Sequence, residues 1–471
     1  MKTLIAMANY GTGNDRYLHQ VLQEYRGMGK DVDIVVTSNI PKNLGPDIEV
    51  VVGLATGDPR SLPFVHKRIF AERMESYDLF VYAEDDNPVT KRNIDAFLRA
   101  TEVLPPEEIA GFLRTERDSA GKLYFSEPHN HYHWDASSVC RRGDFTFAFY
   151  TNEHSGCYVL TREQLRRAIA SGGFLVPFHH GEYPPLETAA TDPYTQCGFR
   201  KLMCISHLDD FLVPHLSNRY AGRGALPAED FYVQLGRLLS VSKNGKPKGT
   251  LFPVETNLLH RRWSKSYYEP RQDELIALIP KGAQSVLSIG CGWGVTERCL
   301  VERGFRVKAV PMDSVIAASA EARGVEIVYG DCHTALKKLA NERFDCLLIS
   351  NVLHLVRTPV EFLTPFVDLV VPGGCVVASV PNLSRLRRLS RRIRFRGHVA
   401  DPKSYEAHGM HATTGRVIRR WLRQTGLTPM KMVYEVSDEK KSANRRSLGL
   451  ATPLLASTIY VSAVRNVARP S

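Results

Sequence analysis

Three consecutive carboxylates, Glu84, Asp85 and Asp86, close the apolar run "YDLFVYA" and are followed at once by Asn87 and Pro88. Like charges packed so closely repel one another unless something positive sits among them. Hard divalent cations take oxygen ligands, and Mg²⁺ or Mn²⁺ held by one or two carboxylates grips a diphosphate at the same time. The three acids are therefore read as metal ligands beside a phosphorylated substrate. Two hundred residues on, "SVLSIGCGWG" (285–294) passes from an apolar run straight into Gly290, Gly292 and Gly294. Glycines at a strand-to-helix turn let backbone N–H groups and the positive helix end approach a ligand, where side chains would intrude. That is the chemistry of a nucleotide-type cofactor. A dinucleotide fingerprint wants its third glycine at position 295, which is valine, so NAD is disfavoured.

Both clusters need sheets to hold them, and the hydrophobic periodicity supplies two alternating strand and helix series. In the first half, strands are expected at 2–7, 32–37, 48–52 and 79–82 and helices at 15–26 and 64–75, followed by a more irregular stretch rich in His, Pro and Gly. In the second, apolar runs at 285–289, 306–310, 325–329, 346–350 and 375–380 alternate with helical segments, the pattern of a doubly wound parallel sheet. Between them "AGRGALPAED" and "SVSKNGKPKGT" concentrate Gly, Pro, Ser and Lys around a bridging helix at 229–239. The expected organisation is an α/β domain over 1–222, a linker over 223–262 and a second α/β domain over 263–471, with the cut near residue 250.

The glycine motif resembles the first motif of class I S-adenosylmethionine-dependent methyltransferases, and later segments follow in that family's order. "YYEPRQDELIALIP" (267–280) resembles its lead-in helix, "YGDC" (329–332) its adenine-side turn, "FDCLLISNVLHLV" (344–356) its fourth strand and "VPGGCVVASVPN" (371–382) its fifth. A helix at 413–425 and strands at 430–436 and 457–464 complete the Rossmann-like pattern. The resemblance implies S-adenosyl-L-methionine as cofactor, held by Ser288, Gly290, Cys291, Gly292, Gly294, Asp313, Asp331, Cys332 and Asn351. Two positions depart from the family: Ser288 stands where an acid is usual, and Pro311 takes the ribose acid's place, leaving Asp313 as the nearest carboxylate. Methyl transfer needs positioning and a base for the acceptor's proton. His354 and His411 are the candidates, with a packed or capping histidine as the plain alternative for each.

The acidic strand end resembles the DxD signature of GT-A glycosyltransferases, Glu84 standing in the first acidic place. "HSGCYVLTREQL" (154–165) and "PPLETAATDPYTQCGF" (184–199) resemble the acceptor side of such enzymes. This likeness implies a nucleotide-sugar donor, Mn²⁺ or Mg²⁺, and Asp192 or Glu187 as the base. His207 and His215 are further metal-ligand candidates. The joint expectation is a bifunctional enzyme of surface glycan biosynthesis acting on a glycan or lipid-linked glycan. The rival is a methyltransferase whose N-terminal domain only binds a glycan or nucleotide.

Composition narrows the rest. Nine scattered cysteines without CxxC spacing argue against a disulfide framework or a zinc site. The short N-terminal apolar run is too brief for a signal peptide, and a cytoplasmic protein is expected. Formal net charge is +11, and seven arginines lie within Arg385–Arg396. With no nucleic-acid motif beside them, they suggest an anionic membrane surface as partner, and nucleic acid is not expected.

Overall fold

The computed structural model describes residues 1–245, 251, 254–383, 405–436, 441 and 452–466. The chain divides into two units, Met1–Pro247 and Lys248–Ser471.

In the first unit, β1 (Thr3–Asn9), β2 (Val32–Ser38), β3 (Ile48–Val52) and β4 (Leu79–Glu84) are parallel. Their near-continuous apolar sequences fit strands covered on both faces. Further strands are β5 (Glu108–Ala110), β6 (Leu113–Arg117), β7 (Leu123–Phe125), β8 (Trp134–Arg142), β9 (Phe145–Tyr150), β10 (Cys157–Thr161), β11 (Arg200–Cys204), β12 (Leu212–Pro214) and β13 (Leu226–Pro227). The main sheet runs β10-β4-β1-β2-β3, with β10 antiparallel to β4. Because β2 and β3 lie on one side of β1 and β4 on the other, the chain reverses direction across the sheet between β1 and β4. Ligands of open α/β sheets sit at such a switch point, outside the carboxyl ends of the strands.

Two small sheets, β5-β11-β9-β8 and β12-β6-β7-β13, occupy the stretch that the sequence presents as irregular. Several of their strands are two or three residues long, too short to display a period. The span 223–262 is not simply a linker: the helix Ala228–Asn244 starts within it and lays Phe231 on Phe125, ring centroids 3.9 Å apart. Gly245, in the left-handed region at φ 79°, ends that helix.

In the second unit, β14 (Ser285–Cys291), β15 (Arg306–Pro311), β16 (Glu326–Ile327), β17 (Phe344–Ser350), β18 (Val370–Pro381), β19 (Leu427–Glu435) and β20 (Thr458–Arg465) form one sheet. The order is β16-β15-β14-β17-β18-β20-β19, the first five parallel and β20 antiparallel to both neighbours. Every residue of β14 is buried. Here the switch point lies between β14 and β17. The expected lead-in helix shrinks to Asp273–Ile276, bounded by Pro270 and Pro280, and the strand expected at 325–329 keeps two residues. The Arg385–Arg396 stretch lies outside the described residues. No helix among those described is long and apolar enough to cross a membrane.

Candidate functional site

Each unit places its sequence-flagged residues at its own switch point. In the first, a cavity of about 430 Å³ opens at the tips of β1 and β4. Glu84, Asp85 and Asp86 line it together with Tyr10, Arg60, Arg114, His154, Glu187, His215 and Arg219. The three acids diverge. Asp85 accepts hydrogen bonds from the amides of Asn9 (2.7 Å) and Asn14 (2.8 Å), Asp86 meets His215 Nε2 at 3.2 Å, and Glu84 accepts from Asn87 at 3.1 Å. Among the described residues no group of three or more His, Cys, Asp or Glu side chains is disposed to hold a metal ion. The reading of the three acids as metal ligands finds no support in this arrangement, because each is engaged by its own partner.

Their electrostatics differ accordingly. Burial pushes Glu84 up to about 7 despite Arg114 nearby, and burial lifts Asp85 to about 6 against its two amide donors. For Asp86 burial is outweighed by the hydrogen bond and charge of His215, which hold it below the usual carboxylate range. His215, buried but flanked by Asp86 and by Glu116 at 2.5 Å, is raised to about 9. At neutral pH the cavity therefore holds an imidazolium–carboxylate pair beside two easily protonated acids.

Asp192 does not line this cavity. It is fully buried, ion-paired with Lys67 and contacted by His179 Nε2 at 3.1 Å. Glu187 does line the cavity. His207 is outside the lining, packed edge-on against Phe145. Sequence reasoning missed Arg60, Arg114, Arg219 and the role of His154, which reach the cavity from separate loops and carry no local signature. His154 is 5% exposed, and its Nδ1 has no hydrogen-bond partner. Burial and the nearby cations Arg114 and Lys201 keep that imidazole neutral.

In the second unit the glycine turn sits at the tip of β14. Gly290 (φ 85°) and Gly294 (φ 79°) adopt left-handed conformations. A Cβ at Gly290 would lie 2.3 Å from Val352 Cγ2, one at Gly294 2.3 Å from Ala320 Cβ, and one at Gly292 2.1 Å from the Tyr267 carbonyl oxygen. The glycines thus draw the turn tightly against its own chain. Segment 263–269 crosses the tips of β14 and β17: Trp293 donates through its backbone to Tyr267 O (3.0 Å) and through Nε1 to Glu269 O (2.7 Å). Lys265, 1% exposed, is ion-paired with Glu269 and donates to the Ser350 carbonyl at 2.7 Å, while Ser350 Oγ donates to Glu269 at 2.7 Å. The cation these acceptors hold is the Lys265 ammonium itself, which ties segment 263–269 to the tip of β17.

Residues 271–408 match the family described as MetW: Methionine biosynthesis protein MetW. The chain is similar to the ubiquinone biosynthesis O-methyltransferase of Cereibacter sphaeroides, 32% identical over 113 residues, which cover 23% of this chain and 46% of that protein. It is also similar to an uncharacterised methyltransferase of Mycobacterium tuberculosis, 33% identical over 104 residues, 21% of this chain and 52% of that one. The chain spans about half the length of the curated relatives it matches. Among solved structures, an S-adenosylmethionine-dependent methyltransferase from Mesorhizobium loti is 20% identical, with 41% of this chain and 96% of that chain covered and a TM-score of 0.30. The second unit has a Rossmann-like methyltransferase fold.

Within this second unit, Ser288 is buried and donates to Glu297 at 2.6 Å. The acid absent from position 288 is thus supplied from the first turn of the next helix, at a position the sequence analysis passed over. Asp313 is buried, and its Oδ1 accepts from the Val315 and Ile316 amides at 2.8 and 2.7 Å, which commits that oxygen to the turn after β15. Asp331 caps the helix Cys332–Leu339 through Thr334 N at 2.8 Å, an arrangement that holds its carboxyl below the usual range. Cys291 is buried, Cys332 half-buried, and Asn351 adopts φ 51° at the tip of β17. The Lys265–Glu269 pair was also missed; an i,i+4 charge pair inside "WSKSYYE" is its only sequence signal.

The two histidines separate. His411 donates from Nε2 to the Val356 and Arg357 carbonyls, each at 3.0 Å. His354 donates from Nε2 to the Trp263 carbonyl at 2.8 Å, while its buried Nδ1 has no partner. Burial pulls His354 down from 6.5 to about 4. With the folded value below the unfolded one, the folded state binds fewer protons, so stability is lost as pH falls from 6.5 towards 4. The loss from this site is on the order of 3 kcal/mol, and urea titrations across that range should show a shallower acid limb for His354→Gln than for the wild type.

Proposed function

We propose that the second unit transfers a methyl group from S-adenosylmethionine to an oxygen acceptor, and that the first unit is a nucleotide-sugar site of glycosyltransferase type. The chain would then glycosylate and methylate a glycan or lipid-linked glycan in surface glycan biosynthesis. The observation that carries the methyl-transfer reading is the Gly290–Gly294 turn, left-handed at Gly290 and Gly294, at the switch point of a parallel sheet that carries the stretch matched to the methionine biosynthesis family. The cofactor supplies an activated methyl group on a sulfonium. The turn at Gly290 and Gly294 and the Asp331 carboxylate are what would hold it. The base this reading assigns is His354, through its buried Nδ1, which has no hydrogen-bond partner among the described residues. The names of the O-methyltransferase relatives support oxygen as the acceptor atom.

For the first unit, support comes from the cavity. Arg60, Arg114 and Arg219 offset a diphosphate, Tyr10 offers a half-exposed ring to a base, and Glu187 is the carboxylate for the acceptor hydroxyl. Because the acidic trio does not converge, no step is assigned to a metal ion. Coupling both activities in one chain raises the effective concentration of the newly added sugar at the methylating site.

The test is hydrolysis of a panel of nucleotide sugars by the intact chain, with and without added Mn²⁺. Glu187→Gln is expected to lower turnover about a hundredfold or more while leaving binding of the nucleoside diphosphate intact. Binding without turnover in the wild type would favour the rival reading, a methyltransferase with a non-catalytic nucleotide-binding unit.

A further inference from the structure

The helix Gly415–Gln424 in the methyltransferase unit has two unlike faces. Ile418, Trp421 and Leu422 are buried, and Gly415 sits so close beneath Tyr434 that a Cβ there would lie 2.2 Å from its hydroxyl. The outward face carries Arg416, Arg419, Arg420 and Arg423, all exposed, which with Gln424 line a shallow concavity of about 440 Å³. The helix contains no acidic residue, and among the described residues none of the four guanidinium groups forms an ion pair. Spacings of three and four residues make these arginines neighbours, and like charges so placed destabilise a helix. A face kept only for solubility would mix signs and reduce that repulsion. This one maintains it.

We propose that this arginine face is a docking surface for an anionic phospholipid bilayer. Arginine forks match phosphate oxygens in pairs, and four on a flat face suit a surface of many phosphates rather than a single ion. The alternative polyanion, single-stranded nucleic acid, is bound by aromatic platforms that stack bases. The one aromatic ring of this helix, Trp421, is 6% exposed and faces inward. The described residues contain no membrane-crossing helix, so attachment through this face is peripheral. The four arginines are separate in sequence from Arg385–Arg396, which lies outside the described residues, and the proposal does not rest on the reaction assigned to either unit.

The experiment is cosedimentation of the intact chain with phosphatidylcholine vesicles and with vesicles containing about 30 mol % phosphatidylserine, in about 0.1 M salt. Alongside the wild type run a fourfold variant, Arg416→Gln, Arg419→Gln, Arg420→Gln and Arg423→Gln, and a control in which the arginines between 385 and 396 are neutralised. Each arginine near an anionic surface contributes about a fivefold change in partitioning, so the fourfold variant should bind the charged vesicles at least about tenfold more weakly. Its melting temperature should not fall, because among the described residues these side chains give up no ion pair. The proposal is overturned if the wild type ignores charged vesicles, if the fourfold variant binds them as tightly as wild type, or if only the 385–396 control loses binding. It is overturned equally if the fourfold change weakens binding of an RNA oligonucleotide while vesicle binding is unaffected.

Discussion

Replacing Asp192 by Asn is expected to lower the stability of the N-terminal unit by about 3–5 kcal/mol. Asp192 and Lys67 are ion-paired at 0% and 3% side-chain exposure, with the Lys67 ammonium 4.5 Å from the centre of the Phe64 ring. Burial pushes the Lys67 amine down, and the charge and hydrogen bond of Asp192 pull it back. Asparagine retains the shape and removes the charge, so the ammonium must either stay buried without a counter-ion or release its proton. Both routes cost free energy. Replacing both partners with apolar residues, Lys67→Met with Asp192→Leu, should recover most of the loss, because the desolvation of two charges is removed along with their attraction. Urea unfolding of the three proteins measures this directly. A folded Asp192→Asn protein of normal stability but without sugar-transfer activity would instead restore Asp192 as a catalytic base.

Gly292→Ala is expected to cost the methyltransferase unit about 3 kcal/mol or more and to abolish binding of S-adenosylhomocysteine. The new Cβ would lie 2.1 Å from Tyr267 O, 2.8 Å from its carbonyl carbon and 3.1 Å from its Cα. All three atoms are backbone, so no side-chain rotation relieves the overlap. Relief requires shifting a segment fixed by Lys265 on Ser350, by Trp293 on Tyr267 and Glu269, and by His354 on Trp263. Overpacking at a site that can relax usually costs about 1–3 kcal/mol, and here the neighbour is main chain held at four points. Gly282→Ala is the matched control. Nothing lies within 4 Å of its added methyl, and the change should stay within about 0.5 kcal/mol. Thermal unfolding with and without S-adenosylhomocysteine reads both effects.

Where the sequence was legible, one physical reason recurs. Strands such as Ser285–Cys291 and Thr3–Asn9 are buried on both faces, so their apolar runs stand out without any partner being known. The glycine turn was legible because only glycine suits Gly290 and Gly294 in their left-handed conformations. The reason for Gly292 was not: its hydrogen-only side faces the Tyr267 carbonyl, a contact between segments 25 residues apart. The acidic trio was located correctly at the cavity, but its chemistry depends on partners from elsewhere, the Asn9 and Asn14 amides and His215. Asp192 misled because a carboxylate in a polar-looking helix gives no hint of the lysine at position 67 that neutralises it. Lys265 and Glu269 were overlooked for the converse reason, since a charged pair four residues apart reads as a solvated helix face until the strand tips beneath it are known.

The central claim is that the turn at Gly290–Gly294, at the switch point of the second unit's sheet, forms a binding place for an adenosyl sulfonium cofactor. Calorimetric titration of S-adenosylhomocysteine into the intact chain tests it most directly. The account predicts one saturable site per chain, retained in Gly282→Ala and lost in Gly292→Ala. No heat of binding in the folded wild-type protein, or the same affinity in a folded Gly292→Ala protein, would contradict it.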